Sequence, residues 1–199
     1  MNSFAPSEGR FPDKFLRQLT ELGLLLDNRQ LDMLYSYYEN LSEWNTRMNL
    51  TAINGLEDVC DRHFTDSLSL VKSISVQELR GGKSIIDVGT GAGFPGLVLA
   101  IAFPECGFVL ADSLKKRIGF LDDTIQKLGL ENTETVHGRA EDLASDTKFR
   151  EKFDIAVSRA VSSLPVLLEY CLPFVKTGGV FVAYKGDKLE QDLRSPKKR

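Results

Sequence analysis

One carboxylate, Asp87, stands two residues ahead of three glycines at alternate positions, Gly89, Gly91 and Gly93, and Gly96 follows after Phe94-Pro95. These residue types at this spacing can hold a nucleotide. Glycine accepts positive φ and lets a ligand touch the backbone, and a helix opening after such a turn offers unpaired N–H groups to the bound molecule. Gly91-Ala-Gly-Phe-Pro-Gly96 also satisfies the dinucleotide pattern GxGxxG, so the glycines alone do not name the ligand. Asp87 does more. A pyrophosphate beside a carboxylate is repelled, which argues against NAD. The sulfonium and ammonium of S-adenosylmethionine are attracted by it. A glycine-rich turn with no ligand is the purely structural alternative.

Such a turn needs a strand before it and a helix after it. Ile85, Ile86 and Val88 predict a buried strand over Ser84–Val88, and Pro95 is expected at the first helical position of a helix reaching Phe103. Further strands are expected over Phe108–Ala111, Thr133–His137, Asp154–Ser158 and Val180–Lys185, the last entered through a Gly178-Gly179 turn. Helices are expected between them over Leu114–Leu128, Glu141–Ser145 and Ser163–Val175. Alternating strands and helices mean a parallel sheet with right-handed crossovers, whose ligands bind at the carboxyl ends of the strands.

Before Arg80-Gly-Gly-Lys83 the period is helical throughout. Helices are predicted from Pro12 to about Asn28, from Arg29 to Thr46 and from Leu56 to Ser73, with Trp44–Ile53 as a polar break. Tyr35, Tyr37 and Tyr38 are assigned to packing. The expected organisation is a helical unit over 1–80 and a sheet domain over 81–199.

The 199 residues, 42% hydrophobic and 27% charged, describe a globular protein large enough for one α/β domain and a smaller attachment. Neither a signal peptide nor a membrane-length apolar run is seen, and Cys60, Cys106 and Cys171 read as reduced thiols of a cytoplasmic protein. His63 and His137 have no ligand spacing to the cysteines, so no metal is expected. A net charge of −3 means that any nucleic acid must be held by a local basic patch.

Candidate chemistry gathers at the predicted strand ends. Asp112 lies about 20 residues beyond the glycine turn, where a carboxylate meets ribose hydroxyls, though it can also cap the next helix. Arg139-Ala-Glu-Asp142 follows the third strand and can receive an adenine ring, or its acids can serve the helix dipole. Ser158-Arg-Ala160 follows the fourth, where a methyl acceptor would lie.

An ordered set of segments resembles one family. It comprises Trp44-Asn45…Asn49-Leu-Thr-Ala-Ile53, Arg62-His-Phe…Asp66-Ser-Leu68, Asp87–Gly96, Asp112-Ser…Lys116-Arg117…Phe120-Leu121, Gly138-Arg-Ala-Glu141, Ser158-Arg-Ala-Val161 and Lys185-Gly186. The set is similar to the RsmG family, also called glucose-inhibited division protein B, over about residues 12 to 190. The resemblance implies a Rossmann-like, S-adenosylmethionine-dependent sheet that methylates a guanine N7 in 16S rRNA. It implies cofactor contacts at Gly89, Phe94, Asp112, Ser113, Leu114, Ala140, Glu141 and Arg159, to which Asp87 and Gly91 are added from the glycine turn. Arg159 is expected to position the reacting groups. Asn45, Asn49 and Lys185 are the candidates for the RNA base. The expected partners are 16S rRNA or the small ribosomal subunit, with no membrane and no metal, and a monomeric protein is expected.

Such methyltransferases continue past the fifth strand into two more, whereas only Gly186–Arg199 remains here, so an uncovered sheet edge is expected. Guanine N7 carries a lone pair and no proton, so its methylation needs no general base, and none is evident. No Asn/Asp-Pro-Pro-aromatic motif follows the fourth strand, and Cys171 falls inside a predicted helix. Amine and cytosine-C5 methylation therefore lack their expected residues. Two other classes stay open: a methyltransferase with a non-RNA substrate, and a non-catalytic ribosome-binding protein on this scaffold.

Overall fold

The computed structural model describes residues 7–159 and 163–185. Five parallel strands, β1 (Ser84–Val88), β2 (Gly107–Asp112), β3 (Thr133–His137), β4 (Phe153–Arg159) and β5 (Val175–Tyr184), stand in the order β3-β2-β1-β4-β5. The order reverses beside β1, which places the switch point between β1 and β4.

Alternation along the strands makes three layers. Ile85, Phe108, Leu110, Ile155 and Val157 face one core with α6 (Gly96–Ala102) and α7 (Lys115–Leu128). Ile86, Val88, Val109, Ala111 and Ala156 face another, closed by α8 (Ala140–Ser145), α9 (Leu164–Cys171) and Phe174. At the end of the described sheet β5 pairs with β4 alone. The expected exposed edge beyond it concerns residues 186–199, which lie outside the described residues, as does Ala160–Val161.

The N-terminal helices pack on the first core. α1 (Asp13–Glu21) ends well before Asn28, because Gly23 adopts φ 69° and the Leu24 N–H reaches back 2.9 Å to the Leu19 carbonyl. This arrest buries Leu24. α2 (Asn28–Met48) opens on a capping box between Asp27 and Gln30 and outlasts the expected Thr46, closing on left-handed Asn49. Asn45 is therefore inside α2 and not in a break after it. The third helical run has four parts: α3 (Leu56–Val59), a π-helical Cys60–Thr65, α4 (Asp66–Leu68) and a 3-10 turn over Ser69–Lys72. Its π-helical part turns Cys60, His63 and Phe64 all inward. A short α5 (Val76–Arg80) adds to the expected helices; Ser75 and Glu78 cap it reciprocally.

Leu34, Tyr37 and Phe64 of these helices and Leu97 and Phe120 of the sheet region belong to one buried cluster. Polar bonds fasten the same seam. Asn40 donates to Thr124 at 2.8 Å, the Trp44 indole to Asp123 at 2.8 Å, and Gln30 to the Ile101 carbonyl at 2.9 Å. β5 starts at Val175 rather than Val180, because Gly178-Gly179 is absorbed as a bulge against Phe153–Ile155 instead of forming a turn. All three cysteines are buried and unbridged. Among the described residues no helix is long and apolar enough to cross a membrane.

Candidate functional site

β1 carries the chain to Val88, and the backbone then turns through Gly89, Gly91 and Gly93 at φ 73°, 63° and 92°. Pro95 is not the first helical residue. It occupies the N-cap after a cis Phe94–Pro95 bond, and α6 starts at Gly96. Gly96 sits so tightly against β1 and β2 that an added Cβ would lie 2.8 Å from Asp87 Oδ2 and collide with Leu110. At Gly91 the need differs: its φ is left-handed, but the space beside it is open, with the nearest atom 4.0 Å away. One glycine serves packing and the other leaves room.

Asp87 does not open onto the cavity above the turn, where the sequence expectation places a ligand beside it. Its side chain is fully buried beneath the turn, where Oδ2 accepts from Thr90 Oγ1 at 2.7 Å and from the Gly96 N–H at 2.9 Å. It does not line the cavity above. Burial pushes its carboxyl up to about 6, against the pull of those two bonds. Oδ1 is buried with no hydrogen-bond partner among the described residues.

Over the ends of β1 and β2 lie two adjoining chambers, of about 410 and 260 Å³, that share Gly89, Asp112 and Ser113. The smaller is lined by Gly138, Arg139, Ala140, Glu141 and Tyr170. Leu50, Thr51, His63, Phe94, Arg117 and Arg159 line the larger. Asp112 is almost fully buried at their junction. Its Oδ2 accepts from the Gly91 N–H at 2.9 Å and from Arg117 at 3.2 Å, and its Oδ1 accepts from the Leu114 N–H at 2.9 Å. That last bond shapes the loop but does not cap a helix at Leu114: α7 begins at Lys115, with Leu114 as its N-cap residue. A carboxylate offers roughly four acceptor positions, so one remains for a ligand. Ser113 and Leu114 are exposed beside it. Cavities of similar size elsewhere, such as the one between Asp27–Met33 and Gly129–Asn132, contain none of these groups.

In the larger chamber Phe94 is stacked on His63, with ring centroids 4.3 Å apart, and the Arg159 guanidinium carbon lies 4.9 Å from the Phe94 centroid. Arg159 Nη1 donates to Asp66 at 3.1 Å and to the Arg62 carbonyl at 3.2 Å. Its Nη2 is 3.2 Å from His63 Nδ1. Burial first, and then Arg159, hold the imidazole down to about 4, so it is neutral at physiological pH.

The RNA-base candidates fare differently. Both amide atoms of Asn45 are taken by the backbone of Thr51, Nδ2 to its carbonyl at 2.8 Å and Oδ1 from its N–H at 2.9 Å, with Asn54 Oδ1 a further 2.6 Å contact. Asn45 thus clamps a loop. Asn49 is exposed at the end of α2, and neither it nor Lys185 lines the chambers. His63, Thr51 and Tyr170 join the site from outside the strand ends, so position after a strand does not reveal them. His63 stands in the Arg62-His-Phe…Asp66 segment and Thr51 in Asn49–Ile53; Tyr170 carries no sequence signal.

A family described as "GidB: rRNA small subunit methyltransferase G" matches residues 30–199. The chain is 50% identical over 179 residues to the ribosomal RNA small subunit methyltransferase G of Lachnoclostridium phytofermentans, covering 90% of this chain and 73% of that protein. It is 51% identical over 175 residues to the protein of that name from Acetivibrio thermocellus, covering 88% and 71%. Among solved structures, a candidate O-methyltransferase of Klebsiella pneumoniae aligns with TM-score 0.57 at 16% identity, covering 81% of this chain and 70% of that one. At that identity the likeness concerns the fold.

Proposed function

The chain belongs to the rRNA small subunit methyltransferase G family, and from that premise we propose that it methylates N7 of a guanine in 16S rRNA with S-adenosylmethionine as donor, in the cytoplasm. The observation that carries the reading is the pair of chambers joined at Gly89 and Asp112. An elongated nucleoside–amino acid conjugate needs two compartments and a bend between them.

The residues fit such a molecule. Asp112 has an acceptor position left for a ribose hydroxyl, and the smaller chamber offers Ala140, Glu141 and Tyr170 around a base. The open space beside Gly91 admits a ligand against the backbone, and the buried carboxyl of Asp87 lies under the turn. When bound, S-adenosylmethionine supplies a methyl group on a sulfonium.

The chain itself has to position and to exclude water. Phe94, His63 and Arg159 form one wall of the larger chamber, a planar and cationic surface suited to an electron-rich purine. No residue needs to accept a proton, because N7 attacks through its lone pair. Rate then depends on holding N7 in line with the methyl at about 3 Å. Lys115 and Lys116, exposed where α7 begins, and Arg139 in the smaller chamber supply cations near the opening.

The test is to incubate the protein with labelled donor and small-subunit rRNA from cells lacking the modification, and then to map the label. Methyl on guanine N7 is the expected result. Methyl on adenine N6, cytosine C5 or protein overturns the substrate.

A further inference from the structure

His63 has no part in the scheme above beyond forming a wall, yet its contacts are specific. Nδ1 lies 3.2 Å from Nη2 of Arg159. A guanidinium can only donate, so this contact, taken as a hydrogen bond, assigns the lone pair to Nδ1. The ring proton therefore sits on Nε2, 2.9 Å from Thr51 Oγ1. The 3.1 Å approach of Nδ1 to the Arg62 carbonyl is then a meeting of two acceptors, both served by the same guanidinium.

Arg159 is thus pinned at both terminal nitrogens. Asp66 and the Arg62 carbonyl hold Nη1, and His63 holds Nη2. The two anchors differ in strength. The Asp66 side chain is 46% exposed, and ion pairs in such settings hold weakly. His63 is 9% exposed and wedged against Phe94. The imidazole is tethered in turn: Thr51 Oγ1 also accepts from the Ile53 N–H at 3.1 Å, and Asn45 clamps the Thr51 backbone to α2.

We infer that His63 is a positioning residue for methyl transfer: as a neutral Nδ1 acceptor held by Thr51, it fixes the guanidinium of Arg159 over Phe94 in the reacting chamber. The inference rests on the reading of that chamber as the methyl-transfer site. Without this acceptor Arg159 keeps its charge and its Asp66 contact but can swing about Nη1. Binding survives such freedom better than a reaction that depends on alignment does.

The experiment measures methyl transfer to small-subunit rRNA lacking the modification, with the full chain and four variants. His63→Phe preserves the stacked ring and removes the acceptor. His63→Asn restores an acceptor oxygen near the Nδ1 position. His63→Phe is expected to lower kcat by about 10- to 100-fold while KM for RNA changes by less than about 3-fold. His63→Asn is expected to recover most of the loss. Combining His63→Phe with Arg159→Ala is expected to be no slower than Arg159→Ala alone, because the residue acts through Arg159.

Wild-type kcat in His63→Phe, equal impairment of the Phe and Asn variants, or full additivity in the double variant would each overturn the inference while leaving the site assignment standing. A wild-type protein that transfers no methyl to rRNA would overturn the site assignment and the inference together. Should His63→Phe not fold by thermal melting, Thr51→Val takes its place. Loss of that hydroxyl frees the ring and is expected to lower kcat by about 3- to 10-fold; unchanged kcat overturns the role.

Discussion

The Tyr37 hydroxyl, fully buried on α2, donates to the carbonyl of Ala92 in the glycine turn, 55 residues away in sequence. The bond joins the helical N-terminus directly to the backbone that lines the larger chamber. The same ring packs against Phe64 and Phe94, with centroids 5.9 and 5.3 Å from its own. Tyr37→Phe retains this ring packing and leaves the Ala92 carbonyl without its partner. It is expected to cost about 1–2 kcal/mol of stability and to weaken S-adenosylmethionine binding through the loosened turn. Urea unfolding and a calorimetric titration read the two effects; unchanged values in both would show that the turn does not depend on α2.

Gly91 and Gly96 predict opposite failures. Gly96→Ala forces a methyl into Asp87 and Leu110, so a loss of about 2–4 kcal/mol in stability is expected before any question of ligand arises. A Cβ added at Gly91 meets only the Gly89 carbonyl, at 4.0 Å, so the first carbon of Gly91→Val has room. Its left-handed φ costs about 1–3 kcal/mol, and the branched side chain occupies the space offered to the ligand. A folded Gly91→Val protein that cannot bind S-adenosylmethionine is the expected outcome. Unchanged affinity in that variant would sink the binding assignment.

The strand pattern and the glycine turn are legible in the sequence because each follows from a local rule. Near-continuous apolar runs at Ile85–Val88 and Phe108–Ala111 mark strands buried on both faces, and closely spaced glycines mark a turn. Asp87 stands out in the sequence, but its outlook does not. Whether a strand-end side chain faces ligand or protein depends on where the loop folds back, and here Gly96 returns to cover it. Asn45 reads as a loop residue although helix α2 runs through it, so its amide meets Thr51 instead of solvent. His63 is hidden as a site residue because its partner Arg159 lies 96 positions later. The early start of β5 is masked by Pro173 and Gly178-Gly179, which read as breaks when a bulge can accommodate the glycines.

Two buried groups set the pH dependence with opposite signs. His63 titrates at about 4 in the folded protein against 6.5 ordinarily; Arg159 from β4 and Arg62 and Asp66 from its own helical run are the charges around it. Between those values the unfolded chain binds more protons, so this stability is present above 6.5 and lost as pH falls toward 4. Asp87, raised from 3.8 to about 6, does the reverse: its contribution is complete below 3.8 and lost as pH rises through 6. Wild-type stability should thus vary little between about pH 5 and 7.5. His63→Phe removes one arm, so its deficit relative to wild type should shrink by up to about 2 kcal/mol at pH 5, less where the ring keeps contact with water. Urea unfolding at both pH values measures the gap. A gap of constant size would mean that the ring is not held neutral.

Arg159 and the lysines that open α7 should separate when salt is varied. The Arg159 side chain is 17% exposed, and three of its donor contacts are made within the protein. It has little left to offer a phosphate. Lys115 and Lys116 are exposed at the start of α7, beside a chamber lined by Ser113 and Arg139. Removing a cation that binds one phosphate lowers the slope of log affinity against log salt by about 1 and weakens binding without regard to sequence. Lys115→Ala and Lys116→Ala should therefore lower RNA affinity and flatten its salt dependence, with kcat at saturating RNA changed little. Arg159→Ala should lower kcat by about 100-fold or more while its salt slope stays that of the wild type. Filter binding across a salt series, paired with single-turnover methyl transfer, gives both numbers for each variant. A flattened slope in Arg159→Ala would make it one more phosphate anchor. An unchanged slope with slow transfer would leave it beside the reacting base, where Phe94 and His63 hold it.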